Sequence, residues 1–367
     1  MQKTLQIVIF DNPCPPDYGG VIDVFYKIKA LKALGVRLIL HVFYSERNQF
    51  TALEQWCDIL YTYKRNKSFL QHFSILPYAV KSRSSEQLLT QLNNSDAPIL
   101  FESLVSTSVL NSSKLKQQKL VRAHNIEHHY SKGLFKSAQN YIQKTAFYIE
   151  ALKLKRYESV LDNADVILSL SDFETEYFKQ HYTTSVKYLK IFQEHSKVIS
   201  EKGNGTYALY HGDLTIADNI KSALFLIDVF SELEHPLIIA GRIIPDSITQ
   251  KVSGFNHIKC EIIKDQSHLN QLIKEAHINT LYSFQKSGTK LKVFTALFKG
   301  KHCIVNKNMI DDANILSCCE LAETLESYRV TVNRLFQTDF KIATTRIKAL
   351  ESYHPENLAK QLVEFIN

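Results

Sequence analysis

The sequence has no apolar run long enough to span a lipid bilayer. Residues 1–10 have the pattern of a β-strand rather than that of a signal peptide. Both observations favour a protein of the cytoplasm.

The chain also lacks the cysteine patterns of metal and disulfide proteins. Its six cysteines, at positions 14, 57, 260, 303, 318 and 319, have no metal-ligand spacing, and several lie in apolar runs. We therefore expect neither a zinc site nor a disulfide framework. Repeats of solenoid period and low-complexity tracts are likewise missing from the sequence.

What is present describes a folded protein of two domains. The chain has 367 residues, of which 45% are hydrophobic and 22% charged, and this length exceeds what one hydrophobic core usually supports. The formal net charge of +7 favours anionic partners. Nucleic acid is not expected among them, because the basic residues are dispersed rather than interleaved with stacking aromatics.

Short apolar runs alternate with longer amphipathic segments along both halves, which predicts parallel sheets covered by helices. In the first half the predicted strands are residues 5–10, 36–43, 98–101, 120–123 and 166–170. Helices are predicted at 21–34, over a long stretch at 127–161 and after Ser171. In the second half the predicted strands are 207–210, 237–240, 257–263, 279–282 and 303–305, with a helix at 217–233 and helical structure from 320 to 367.

These patterns predict an α/β protein made of two Rossmann-like, doubly wound domains with a ligand cleft between them. The predicted boundaries are 1–185 for the first domain, 186–206 for a flexible connection, and 207–352 for the second domain. A C-terminal helix at 353–367 is expected to pack back towards the first domain.

The most informative segment is Ser-Gly-Thr-Lys-Leu-Lys at positions 287–292, which is predicted to open a helix. A helix N-terminus carries unpaired N–H groups and a partial positive charge, so lysines there favour an anion such as phosphate. An alternative is an ordinary amphipathic helix with lysines on its wet face.

Other polar residues and glycines follow predicted strands. They are Gly19 and Gly20 after the first strand, His124 and its neighbours after 120–123, Gly212 after 207–210, and Arg242 after 237–240. The glycines allow close approach of a ligand to backbone N–H groups, or they serve as simple turns. The first loop is not a dinucleotide fingerprint, since the third glycine is missing. The histidines at 124, 128 and 129 do not complete a recognised metal pattern, so no metal is expected.

In combination, these motifs resemble the glycosyltransferases of the GT-B fold and, within them, family 4 (glycosyltransferase group 1). The resemblance covers nearly the whole chain. It rests on Tyr-Gly-Gly at 18–20, Arg-Ala-His-Asn-Ile-Glu at 122–127, Ala-Asp-Val-Ile-Leu-Ser at 164–169, Tyr-His-Gly-Asp-Leu at 210–214, Ile-Ala-Gly at 239–241 and the 287–292 segment.

The resemblance implies a retaining, metal-independent hexosyltransferase that needs no cofactor and uses a UDP- or GDP-linked sugar as donor. Acceptors would be glycan chains, such as a growing chain in surface polysaccharide biosynthesis, or lipid-linked sugars. Lys290 and His124 are the implied catalytic residues. Donor-binding residues would be Gly19, Gly20, Gly212, Arg242, Gly288, Thr289, Lys290, Lys292 and Thr295. Candidates on the acceptor side are Glu102, Asn125 and Glu127, although a surface or capping role is an alternative for both glutamates.

The sequence departs from the family at two points. The paired-glutamate motif is missing, with Thr295 at its second position, and the segment 211–218 offers neither the usual arginine nor the usual lysine. The departures leave open a non-catalytic GT-B-like module that binds nucleotide or sugar.

Residues 132–156 mix lysines with aromatic residues, which suggests peripheral contact with an anionic membrane at its inner face. The alternative is a helix with its aromatics in the core and its lysines in water.

Overall fold

The structure, a computed structural model, describes residues 2–138, 140–286 and 290–366. The chain divides into two compact units. The first comprises residues up to 194 together with the C-terminal segment from residue 353, and the second comprises residues 195–352.

The first unit is built on a seven-stranded parallel sheet with the order β3-β2-β1-β4-β5-β6-β7. Its strands are β1 Thr4–Ile9, β2 Arg37–Tyr44, β3 Ile59–Lys64, β4 Ile99–Glu102, β5 Lys119–Ala123, β6 Val166–Ser169 and β7 Ser185–Tyr188. Its helices are α1 Gly19–Ala33, α2 Thr51–Glu54, α3 Tyr78–Lys81, α4 Glu86–Leu92, α5 Glu127–Ser137, α6 Tyr141–Tyr157, α7 Asp172–His181 and, from the chain's end, α15 Pro355–Glu364. Short 3-10 turns occur at Phe69–Phe73, Leu104–Ser106 and Glu158–Asn163.

The second unit repeats this plan with a six-stranded parallel sheet ordered β10-β9-β8-β11-β12-β13. Its strands are β8 Ala208–His211, β9 Leu237–Gly241, β10 Ile258–Ile262, β11 Ile278–Thr280, β12 His302–Val305 and β13 Glu320–Leu321. Its helices are α8 Ala217–Phe230, α9 Asp246–Val252, α10 Gln266–Glu275, α11 Leu291–Lys299, α12 Ala313–Leu316, α13 Leu325–Phe336 and α14 Thr344–Glu351.

Both sheets are buried because apolar residues run almost without interruption through their central strands. Leu5, Ile7, Val8 and Ile9 of β1 are inaccessible to solvent, as are Ala208, Leu209 and Tyr210 of β8. Parallel strands covered by helices on both faces require this composition.

The C-terminal helix α15 packs against α1 in the first unit. Leu358 and Leu362 join the core that contains Val21 and Val24 of α1, and Lys3 donates hydrogen bonds to the carbonyls of Val363 and Ile366. Residues 185–188, at the start of the predicted connection, form strand β7 and pair with β6.

In both units the strand order reverses beside the first strand of the sheet, between β1 and β4 and between β8 and β11. Ligands of such sheets bind outside the carboxyl ends of the strands at this point. The candidate site residues follow these strand ends.

Candidate functional site

In the first unit, five charged or titratable side chains meet behind the carboxyl ends of β4 and β5. Lys27 of α1 donates to Asp23 at 2.9 Å and to Glu102 at 2.7 Å. Arg122 of β5 binds the same Asp23 through Nη2 at 3.1 Å and Nε at 3.2 Å. His124 Nε2 lies 2.8 Å from Glu102 Oε2. Two buried cations thus face two buried carboxylates.

The charges in this cluster hold each other in the ionised state. Burial opposes ionisation of Asp23, but Arg122 and Lys27 outweigh it and hold the pKa of Asp23 well below its usual range. Burial likewise opposes ionisation of Glu102, while Lys27 and the hydrogen bond from His124 lower the pKa of Glu102. Glu102 is therefore a carboxylate and an acceptor only.

This carboxylate fixes the tautomer of His124. Because ionised Glu102 can only accept, the proton of a neutral His124 lies on Nε2 and the lone pair on Nδ1. Among the described residues none hydrogen-bonds to this Nδ1, and the ring packs edge-on against Phe10 with centroids 5.5 Å apart. His124 can therefore accept a hydrogen bond from a hydroxyl group through Nδ1.

Glu102 differs from the expectation that it contacts an acceptor or lies at the surface. Its side chain is inaccessible to solvent, and its two carboxylate oxygens bind Lys27 and His124. A carboxylate that ends a central strand and faces an ammonium group and an imidazole is sequestered by those contacts. Glu102 positions His124 instead.

The other two acceptor-side candidates, Asn125 and Glu127, are half-buried near the start of α5. Glu127 accepts a hydrogen bond from the Ser103 hydroxyl at 2.7 Å. Burial raises the pKa of Glu127 despite this bond. Ser103 follows Glu102 with φ of 68°, a left-handed conformation that costs a non-glycine residue free energy and often occurs at functional sites.

The cluster also tests the expectation about metals. Ligand atoms of Asp23, Glu102 and His124 lie within 4.8 Å of one another, close enough to share a cation. Lys27 and Arg122 already neutralise both carboxylates at hydrogen-bonding distance. The residues present therefore fit an internal ion-pair network better than a metal site.

Gly19 and Gly20 begin helix α1 on the same unit. Gly19 is exposed as the first helical residue. A Cβ on Gly20 would lie 2.9 Å from the Phe10 ring, so a larger residue there would displace that ring. The N-terminus of α1 is therefore exposed at Gly19.

In the second unit, lysines gather beside the carboxyl end of β8. Lys290 is the N-cap residue of α11 and Lys292 lies in its first turn. The Lys292 ammonium group is 4.8 Å from the Tyr210 ring centroid and 3.5 Å from Asn219 Oδ1. Burial, followed by repulsion from Lys290, lowers the pKa of Lys292 to about 8. A helix N-terminus and two cations therefore lie near the carboxyl end of β8.

His211, the last residue of β8, is held neutral at this edge. Burial and the charge of Lys292 lower its pKa to about 3. Its Nε2 is buried and has no hydrogen-bond partner among the described residues. An unsatisfied buried nitrogen near Lys292 marks a place where a polar ligand would gain a contact.

Asp218, which the sequence did not single out, holds the loop leading into α11. Its carboxylate accepts hydrogen bonds from the Ser283 hydroxyl at 2.8 Å and the Phe284 N–H at 3.2 Å. Asn306, after β12, exchanges two hydrogen bonds with the backbone of Ser283. The acidic residue in the first turn of α8 was the available signal in the sequence.

The remaining donor-side candidates lie in different settings. A Cβ on Gly212 would be 3.4 Å from Asn219 Cγ, so its backbone packs closely on the start of α8. Arg242 is exposed directly after β9. The Thr295 hydroxyl donates to the Leu291 carbonyl of its own helix. Gly288 and Thr289 lie outside the described residues.

In the part of the chain that the structure describes, no helix combines the length and apolar character needed to cross a membrane.

Comparison with known sequences gives one curated relative. The chain matches no protein-family model. An uncharacterized 44.6 kDa protein in the cps region of Klebsiella pneumoniae is 30% identical over 179 residues, which is 46% of this chain and 46% of that protein. The match thus spans less than half the length of this curated relative.

Comparison with solved structures covers nearly the whole chain. A glycosyltransferase from Rickettsia africae aligns with a TM-score of 0.64 at 15% identity, over 99% of this chain and 97% of its own. WaaG, a glycosyltransferase involved in lipopolysaccharide biosynthesis, aligns with 0.64 at 12% identity over 99% of both chains. HepE from Anabaena, solved with UDP and glucose, aligns with 0.61 at 13% identity over 98% of this chain and 95% of its own. Two Rossmann-like units with parallel sheets, matched over their full extent, identify the fold of this chain as the GT-B fold of glycosyltransferases.

Proposed function

We propose that this protein is a retaining, metal-independent glycosyltransferase of the family 4 type that transfers a hexose from a nucleotide-diphosphate sugar. One observation carries the proposal: within the GT-B fold, Lys292 in the first turn of α11 lies beside neutral His211 at the carboxyl end of β8, and the N-cap Lys290 is close enough to Lys292 to repel it. Such an edge suits a diphosphate better than any uncharged ligand.

The chemistry follows from where charge develops. As the bond between sugar and diphosphate breaks, negative charge grows on the leaving group and the sugar becomes oxocarbenium-like. Lys290 and Lys292 stabilise that negative charge, helped by the N–H groups of the helix start and by Arg242. Gly19, Gly20, Gly212, Gly288 and Thr289 let backbone approach the donor, and Thr295 lies near the nucleotide.

His124 acts on the sugar in this proposal. Glu102 keeps the proton on Nε2, so Nδ1 accepts a hydrogen bond from a sugar hydroxyl. Asn125 and Glu127, near the start of α5, contact the incoming glycan.

The known proteins support particular substrates. HepE is solved with UDP and glucose and with UDP-glucose, WaaG takes part in lipopolysaccharide biosynthesis, and the Klebsiella relative belongs to a cps region. We therefore favour a UDP-linked hexose over a GDP-linked one, and a glycan or lipid-linked acceptor in polysaccharide biosynthesis. These acceptors would bring a cytoplasmic enzyme to the inner face of a membrane.

Release of nucleotide diphosphate tests the proposal. The purified protein is incubated with UDP- and GDP-hexoses and with glycan acceptors, with and without EDTA. We expect release from one donor that EDTA leaves unchanged, and NMR of the product should show the anomeric configuration of the donor. Loss of turnover in EDTA would refute metal independence, and an inverted product would refute retention.

The absent paired-glutamate motif favours one alternative, a non-catalytic GT-B-like module. Thr295 cannot offer a carboxylate to a ribose, and its hydroxyl is bonded within the helix. Tight nucleotide binding without release of diphosphate from any donor would establish this alternative.

A further inference from the structure

The most exposed apolar side chains among the described residues lie on two segments of the first unit. Among the described residues, six large apolar side chains are more than 70% exposed. They are Phe69, Leu70, Phe73, Ile75, Tyr141 and Ile142. All six belong to residues 69–75, after β3, or to the start of α6. Such a concentration is unusual because a folded protein normally scatters its exposed apolar residues.

Helix α6 continues this surface along its outer side. Tyr141, Tyr148, Ile149 and Leu152 are exposed, and their spacing of 7, 8 and 11 residues from Tyr141 places them on one helical face. Ala151 and Leu154 form the buried side. The outer side of a helix in a water-soluble domain is normally polar, so this helix has apolar residues on both sides. The apolar face is the name we give to nine exposed residues: Phe69, Leu70, Phe73, Ile75, Tyr141, Ile142, Tyr148, Ile149 and Leu152.

Charged groups hold the two segments side by side. The Lys153 ammonium group of α6 donates to the carbonyls of His72 and Ser74, both at 2.7 Å. Glu150 accepts hydrogen bonds from the N–H groups of Tyr78 and Ala79, both at 2.9 Å. The polar groups of this junction thus point inwards, while Phe69, Leu70 and Phe73 remain in solvent.

The surroundings of the apolar face are strongly basic. Residues 132–156 contain six lysines and arginines and a single acidic residue, Glu150, which is already bonded to the backbone of α3. Residues 64–83 contain five lysines and arginines and no acidic residue; of these, Arg83 is buried and Lys67 pairs with Glu46. A rim of this sign would repel a second copy of the same surface and attract an anionic one.

We propose that the apolar face is the docking surface of this protein on an anionic lipid bilayer. Its aromatic and aliphatic side chains enter the boundary between headgroups and acyl chains, and the surrounding lysines bind lipid phosphates. The sequence suggested only the 132–156 segment. The structure adds the turn at Phe69–Phe73 and shows Tyr141 and Tyr148 outside the core. Docking on lipid is independent of sugar transfer and stands without it.

Vesicle flotation of the full chain tests the proposal without donor or acceptor. Two kinds of vesicle are compared: phosphatidylcholine alone, and phosphatidylcholine with phosphatidylglycerol. We expect the protein to float with the anionic vesicles and to be released by salt. Neutralising Lys136, Lys144 and Lys155 with glutamine should lower partitioning about a hundredfold, since each charge near such a surface contributes roughly fivefold.

A second variant removes the apolar contribution. Leu70→Ser, Tyr141→Ser and Ile142→Ser together should abolish flotation while leaving the thermal midpoint unchanged, because these side chains are exposed. The matched apolar control carries Ile243→Ser, Ile262→Ser and Val330→Ser, three exposed positions of the second unit. The matched charge control carries Lys259→Gln, Lys341→Gln and Lys348→Gln, also exposed.

Two results would overturn the proposal. One is failure of the parent protein to float with anionic vesicles, or equal flotation of the variants and their controls. The other is self-association in analytical ultracentrifugation that the apolar variant abolishes while no form binds vesicles. The latter would assign the apolar face to a second copy of the chain.

Discussion

Lys292 and His211 are neighbouring side chains whose charges are set by burial and by each other. Lys292 keeps a proton with a pKa near 8, and His211 has lost its proton, with a pKa near 3. At neutral pH the region beside the carboxyl end of β8 therefore carries its positive charge on Lys292 and Lys290. The neutral imidazole of His211 is available for hydrogen bonding.

Nucleotide binding should weaken as pH rises through about 8. Lys292 is charged below its pKa of about 8 and neutral above it, so its attraction for a diphosphate is present at pH 7 and lost at pH 9. Lys292→Arg should remove this step, because a guanidinium group stays charged. Isothermal titration calorimetry with UDP between pH 6.5 and 9 measures the affinity of the parent protein and of the variant. An identical pH dependence of this affinity in both proteins would contradict the assignment.

Lys290→Ala should lower sugar transfer roughly a hundredfold, equivalent to about 3 kcal/mol of transition-state stabilisation. The physical reason is loss of a cation where negative charge develops on the leaving group. The circular dichroism spectrum should not change. Lys341→Ala, an exposed lysine of the same unit, is the control. Turnover equal to that of the control would remove Lys290 from the proposed role.

At the scale of single residues, local chemistry was predictable and long-range pairing was not. The position of Lys290 and Lys292 at a helix start follows from neighbouring residues, and both lysines lie at the start of α11 in the structure. The binding of Glu102 to Lys27 joins residues 75 positions apart, and no local pattern encodes such a contact. Neither the acceptor contact expected of Glu102 nor the alternative surface role could therefore anticipate its buried position.

Among the structural elements, α1, β4 and β5 are joined by the buried ion pairs of Asp23, Lys27, Glu102 and Arg122. Buried pairs of this kind cost desolvation when they form, but removing one partner leaves a buried charge without compensation. The network therefore fixes the relative position of these three elements and, through Glu102, the orientation of His124.

Glu102→Gln should lower the free energy of unfolding by about 3–5 kcal/mol, because Lys27 would keep its charge without this partner. Chemical denaturation measures the change. The control is Glu46→Gln, which removes an exposed pair with Lys67 and should have no measurable effect. If the two substitutions had equal effects, the network would not hold the elements together.

Strand β2 contributes an acid-sensitive group to the first unit. His41 is inaccessible to solvent, bonded to Tyr63 and Gln6, and burial lowers its pKa to about 3. In the unfolded chain a histidine binds a proton near pH 6.5. The unfolded state thus binds more protons between these values, and stability falls as pH decreases from about 6.5.

His41→Gln should reduce the slope of stability against pH by up to about 1.4 kcal/mol per pH unit, which corresponds to one proton. Urea denaturation at several values between pH 4 and 6.5 gives the slope. A slope equal to that of the parent protein would show that His41 is not neutral in the folded state.

The apolar periodicity of the sequence predicted most strands of both sheets, but not β3, β7 or β13. Strand β13 has only two residues, Glu320 and Leu321, and lies where the sequence predicted helical structure. Strand β3 has mostly partly exposed residues at the edge of its sheet, and β7 alternates exposed and partly buried positions, so neither forms a clear apolar run. The long helix predicted at 127–161 is divided into α5, α6 and a 3-10 turn. Asn140 supplies the signal for the break, since it caps α6 with its side chain.

For the whole molecule, two parallel sheets with equivalent strand order could be predicted from βα alternation alone, because that alternation allows few topologies. The function of the carboxyl ends of each sheet could not be predicted in this way, since it depends on which loops carry charge after folding. In the second unit that charge lies at α11, beside β8. We therefore expect a nucleotide diphosphate to bind beside the carboxyl end of β8.

Thermal unfolding with UDP, GDP, ADP and CMP and their sugar conjugates measures this binding. A ligand at about a hundred times its dissociation constant adds roughly 2.7 kcal/mol of stability. We expect one nucleotide diphosphate, UDP first, to raise the midpoint of unfolding, and a variant with both Lys290→Ala and Lys292→Ala to lose the rise. A midpoint that none of these ligands moves in the parent protein would contradict the account.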